Sequence, residues 1–69
     1  MRVYEIQKEG SRYSAIQIVD GRRIRTTIST PSLWEMRETL LRANYGFKIV
    51  SNKSKGDDVW VLLFEEEEP

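Results

Sequence analysis

Arg12-Tyr13-Ser14-Ala15-Ile16-Gln17-Ile18-Val19-Asp20-Gly21-Arg22-Arg23-Ile24-Arg25-Thr26-Thr27-Ile28-Ser29 is the stretch on which the reading of this chain turns. Two β-rich runs flank Asp20-Gly21, a strong short-range hairpin signal, so the stretch reads as two antiparallel strands. Their register has two candidates. A two-residue loop, Asp20-Gly21, pairs Ile18 with Arg23 and Ile16 with Arg25, mixing apolar and charged side chains on one face. A three-residue loop, Val19-Asp20-Gly21 with Gly21 left-handed, pairs Ile16 with Ile24 and Ser14 with Thr26. It collects Ile16, Ile18, Ile24 and Ile28 on one side and Tyr13, Ala15, Gln17, Arg23, Arg25 and Thr27 on the other. Because a one-residue slip turns every side chain over, the pattern favours the second register.

Working outward, Arg2 to Lys8 alternates, with Tyr4 and Ile6 on one side and Val3, Glu5 and Gln7 on the other. That predicts a first strand, joined to the hairpin by the turn Glu9-Gly10-Ser11. After the hairpin, Thr30 as N-cap with Pro31 at the first helical position starts a helix; Ser32 with Glu35 forms a competing capping box two residues on. Leu33, Met36, Leu40 and Ala43 recur at helical spacing as the stripe for the sheet. Trp34, Leu41 and Tyr45 form a second stripe, which either widens the core-facing arc or meets another chain. Asn44 and Gly46 stop the helix, placing it at about 31–44. Gly46 to Val50 reads as a fourth strand, Asn52 to Asp58 as a solvated loop, and Val59 to Phe64 as a fifth strand. The fifth is apolar throughout, so it lies inside the sheet or within an interface. The expected fold is therefore α+β, an antiparallel sheet with one helix packed on one face, in the order β-β-β-α-β-β.

With 69 residues the chain makes one domain, expected at 1–64 and followed by a disordered acidic tail at 65–69. Cores this small rarely give more than about 3–5 kcal/mol without a staple. With neither Cys nor His in the sequence, a disulfide is excluded and the usual zinc ligands are missing. Self-association is the remaining device, so a homodimer is expected. No signal-peptide core or long apolar run occurs, so no membrane partner is expected and the chain reads as soluble, cytoplasmic or nucleoid-associated.

Eleven basic and eleven acidic residues balance overall, but Glu65 to Glu68 stand at the end, leaving residues 1–64 with a net charge of +4. Such a terminal block either keeps the chain soluble or competes with nucleic acid for the basic face. Enzyme chemistry has little to build on. The commonest general base and the thiol nucleophile are missing. Asp57-Asp58 are loop neighbours, Glu35 and Glu38 share an exposed helical face, and no phosphate-cradling Gly-x-x-x-x-Gly-Lys loop occurs. No enzyme activity, cofactor or metal is expected.

A basic sheet face with an interleaved aromatic suits single strands, since guanidiniums take phosphates and a ring stacks on a base. In the favoured register Arg23, Arg25, Tyr13 and Gln17 share that face, with Arg12, Arg22, Lys53 and Lys55 extending the charge. Ile28-Ser29-Thr30-Pro31-Ser32-Leu33-Trp34-Glu35-Met36-Arg37-Glu38-Thr39-Leu40 resembles the strand-to-helix junction of the positive cofactor four family of transcriptional coactivators, over roughly residues 12–41. The resemblance implies a homodimer packed through helices, single-stranded DNA across basic sheets and no catalysis, with Arg23 and Arg25 on the binding strand and Trp34 in the helix packing. That family runs four strands into its helix, whereas this chain runs three and adds two. The expected function is single-stranded nucleic-acid binding by a homodimer, in a transcription or replication accessory role. The alternative is a protein-interaction module of accessory or viral type, meeting its partner through Trp34, Leu41 and Tyr45 or through Glu65 to Glu68.

Overall fold

In a computed structural model that describes residues 1–68, the chain forms β1 (Arg2–Glu9), β2 (Arg12–Val19), β3 (Arg22–Thr30), α1 (Leu33–Ala43), β4 (Phe47–Ser54) and β5 (Val59–Glu66). The five strands make one antiparallel sheet in the order β3-β2-β1-β5-β4. The expected fold class and element order hold. Because α1 links the two edge strands, it must cross the whole sheet. Those edges lie about 19 Å apart, and eleven helical residues span about 16 Å. One short helix therefore covers the middle of one face.

The hairpin adopts the register that the apolar pattern disfavours. Asp20 and Gly21 both take positive φ, 50° and 76°, as a primed two-residue turn requires. Val19 pairs with Arg22, Ile18 with Arg23 and Ile16 with Arg25. The expected three-residue loop, with Ile16 opposite Ile24 and Ser14 opposite Thr26, does not form. The four isoleucines are consequently divided. Ile24 and Ile28 lie on the helix side with Tyr13, Ala15 and Gln17, while Ile16 and Ile18 lie on the helix-free side with Arg23 and Arg25. Ala15, fully buried, is the β2 residue under the helix. Further along β3 the register shifts, and Thr26 holds the irregularity: its hydroxyl donates to the Ala15 carbonyl at 2.7 Å and accepts from the Ile28 N–H at 3.1 Å.

The core lies between α1 and the sheet centre: Tyr4, Ile6, Ala15, Met36, Leu40, Leu62 and Phe64. Tyr4 meets Phe64 edge-on, with ring centroids 5.5 Å apart. Between Thr30 and Ser32, Ser32 takes the N-cap. Its hydroxyl accepts from the Glu35 N–H at 3.1 Å and donates to the Glu35 carboxylate at 3.0 Å, so the helix starts at Leu33, two residues later than 31. Thr30 instead ends β3, its hydroxyl donating to the Ser32 carbonyl. At the other end Asn44, 1% exposed, binds the helix to β1. Its amide donates to the Leu40 carbonyl at 2.7 Å, and its Oδ1 accepts from Arg2 at 2.7 Å and from the Tyr4 hydroxyl at 3.1 Å.

Both late strands run longer than expected. β4 continues through Ser54 into the stretch expected to be loop. β5 continues through Glu66, and Glu67 donates its N–H to the Gly46 carbonyl, so the glutamate run begins inside the sheet rather than beyond it. As expected, β5 is interior, between β1 and β4. Trp60, Leu62 and Phe64 face the helix. Val59, Val61 and Leu63 face the other way and stay half-buried.

Candidate nucleic-acid interface

Strand alternation and the pairing register assign the helix-free face residue by residue. β3 contributes Arg23 and Arg25, β2 Arg12, Ser14, Ile16 and Ile18, and β1 Val3, Glu5, Gln7 and Glu9. β5 adds Val59, Val61, Leu63 and Glu65; β4 adds Lys48, Ser51 and Lys53. Lys55 follows at the end of β4 and lines a cleft with Lys53 on this face.

Arg23 and Arg25 stand on one face as expected, but neither is free. Arg23 binds Glu5 at 2.6 Å, and Arg25 meets both oxygens of Glu9 at 3.2 Å. Each pair reaches from β3 over β2 to β1, two inter-strand gaps or about 9.6 Å. The arginine stems therefore lie across β2, which explains why Ile16 is only 6% exposed on a face without a helix. The Arg23 guanidinium, helped by the Gln7 amide, holds the Glu5 carboxyl below the usual range; Arg25 and the Ser14 hydroxyl do the same for Glu9. Both arginines are raised in turn by their carboxylate partners.

Tyr13 and Gln17 are not on this face. The observed register sends both to the helix side, where Tyr13 packs on Trp60 with ring centroids 5.8 Å apart. The expected grouping of aromatic, amide and two arginines is thus split across the sheet by a one-residue slip. Arg12 is on the helix-free face, tied to β3 through the Ser29 hydroxyl and carbonyl, each at 3.0 Å. Arg22 is exposed at the hairpin tip, opposite Val19 on the helix side.

Lys53, expected in a loop, lies within β4, and Lys55 follows just after it. With Ser51, Val61 and Leu63 they line a shallow cleft of about 210 Å³. Among the described residues no carboxylate lies within 4 Å of either ammonium group. The register shift between Ile49 and Ser51 turns Lys48, Ser51 and Lys53 to one side, although Lys48 stands directly opposite Glu65.

The stripe of Trp34, Leu41 and Tyr45 is not one surface. Leu41 packs against the core, Tyr45 lies past the helix end and is 95% exposed, and Trp34 is 68% exposed in the first turn. Trp34 instead borders a second cleft, about 200 Å³, on the helix side. Leu33 and Arg37 of α1, Trp60 and Leu62 of β5, Ile6 of β1 and Asn52 of β4 complete it.

Reading the sequence strand by strand missed Glu5 and Glu9 as partners of the arginines, and Arg37, Asn52 and Trp60 as cleft residues. The alternation of β1 does place Val3, Glu5 and Gln7 together, but which strand flanks them is not a local property. Among the described residues no group of three or more acidic, His or Cys side chains is placed to hold a metal, and no helix is long and apolar enough to cross a membrane. No family model matches the chain, and neither does any curated protein or solved structure.

Proposed function

We propose that this chain is a binding module for single-stranded nucleic acid, with the phosphates led along β4 and over the helix-free face. The observation that carries the reading is the pair of unpartnered ammonium groups, Lys53 and Lys55, beside the half-buried apolar floor of Val61 and Leu63. Flexible ammonium groups accept phosphates as point charges. Arg12 and Lys48 extend the track on the same face. Arg23 and Arg25 form a reserve, usable by phosphates that displace Glu5 and Glu9. The resemblance to the positive cofactor four family points the same way. The helix-packed dimer it implies is a further part of the proposal.

The test is a salt titration of a fluorescently labelled oligonucleotide followed by anisotropy, with the oligomeric state read by light scattering. Contacts to about four phosphates give a log-log slope near −2.8 for a single strand. Changing Lys53 and Lys55 to alanine should flatten it by about 1.4. Failure to bind at low salt overturns the proposal.

A second reading, a protein-interaction module, is favoured by one observation: Val59, Val61 and Leu63 remain half-exposed on a strand apolar on both faces. It takes over if oligonucleotides fail to bind while a partner protein protects these residues from hydrogen exchange.

A further inference from the structure

The helix-side cleft and the lysine cleft lie on either side of the same edge strand. Asn52 lines the first, and its neighbours Ser51 and Lys53, with Lys55, line the second. Successive strand residues point to opposite faces, and β4 has no further strand beyond it. A chain lying on Lys53 and Lys55 can therefore turn over the free edge into the cleft without displacing any element.

We infer that the cleft receives one unstacked nucleobase of a bound single strand, its flanking phosphates held by Lys53 and Lys55. This rests on the nucleic-acid reading and adds the part that the helix-free face lacks. Among the described residues that face carries no aromatic side chain, whereas the cleft has two indoles, Trp34 and Trp60, on an apolar floor of Ile6, Leu33 and Leu62. Every base presents a π-face, so indoles bind bases with little regard to sequence. At about 200 Å³ the cleft holds one planar ring system; pockets for drug-sized ligands begin near 300 Å³. The Asn52 amide, exposed at the rim, supplies both a donor and an acceptor for the edge of a base. Arg37 borders the cleft with its guanidinium paired to Glu38 at 2.9 Å, so the cleft itself adds no unpartnered positive charge. The unpartnered charge at the β4 edge selects a polyanion over an apolar peptide as the occupant.

The experiment compares a thymidine oligonucleotide with an abasic strand of equal length, for the wild-type chain, Trp34→Ala and Tyr45→Ala, by anisotropy and by intrinsic tryptophan quenching. The wild type should bind the thymidine strand about tenfold more tightly, a typical stacking contribution, and show quenching. Trp34→Ala should lose that preference while keeping its affinity for the abasic strand and its salt slope. Tyr45→Ala, changed at an exposed site off the cleft, should behave as wild type. Equal binding of both strands by the wild type, or a preference that survives in Trp34→Ala, overturns the cleft inference and leaves the phosphate track standing. Binding of neither strand overturns both.

Discussion

Replacing Glu5 and Glu9 together by glutamine releases both arginines of β3 without changing the shape of the face. In the native chain each guanidinium is held by a carboxylate, at 2.6 Å for Arg23 and 3.2 Å for Arg25. Glutamine keeps one oxygen to accept from arginine but removes the charge, so a phosphate then competes against a neutral amide. Two freed guanidiniums offer two further phosphate contacts, each steepening the log-log salt slope by about 0.7, or about 1.4 together. Over a fourfold change in salt the double variant should therefore lose about sevenfold more affinity than the wild type, having gained at least that much at the low-salt end. The assay is the same anisotropy titration, with far-ultraviolet circular dichroism confirming that the sheet is intact. In the double variant, removing the arginines as well (Arg23→Ala, Arg25→Ala) should abolish the gain. Equal or weaker low-salt binding by a folded Glu5→Gln, Glu9→Gln chain would refute the idea that the glutamates hold back a reserve of positive charge.

Two further outcomes concern stability. Asn44→Ala leaves the buried Tyr4 hydroxyl without its partner and strips the side-chain donor from the Leu40 carbonyl. At about 1–3 kcal/mol per buried group left unpaired, against about 3–5 kcal/mol for a core of this size, the variant should be largely unfolded in mild urea; an unchanged midpoint would remove Asn44 as the lock between α1 and β1. The Glu5 carboxyl lies below its ordinary value of 4.5 because Arg23 and Gln7 hydrogen-bond its charged form. Its contribution to stability is thus present above that value and is lost as pH falls through the lower native one. Urea midpoints should drop in that acid range and drop less in Glu5→Gln; parallel pH profiles would show that the pair contributes nothing.

Several elements were legible in the chain because their causes are local. Asp20-Gly21 marks a turn since few other dipeptides tolerate two positive φ values in succession. Ser32 and Glu35 start a helix through their own hydrogen bonds, and Asn44 with Gly46 ends it. The uninterrupted apolar run of Val59 to Phe64 identifies an interior strand. The shared face of Arg23 and Arg25 was also accessible from their spacing, but not their grouping with Tyr13 and Gln17, which belongs to the other register. Lys53 and Lys55 read as loop residues, and only the extension of β4 through Ser54 puts them on the same side. Apolar pattern alone favoured uniting four isoleucines. It took no account of charged side chains that lie flat over an isoleucine once carboxylates two strands away anchor them.

The sequence by itself determined the inventory: three strands, a capped helix, two more strands, and a surplus of positive charge ahead of a glutamate run. Each of those properties is written within a few consecutive residues. Only the tertiary structure decided which charges are spent and which are available, because that depends on β1 lying between β2 and β5. From there Glu5 and Glu9 reach the arginines of β3, while Lys53 and Lys55 sit on the far edge, with no carboxylate within 4 Å among the described residues. Neighbours across a sheet are chosen by strand order, and strand order is settled when the whole core closes under the helix.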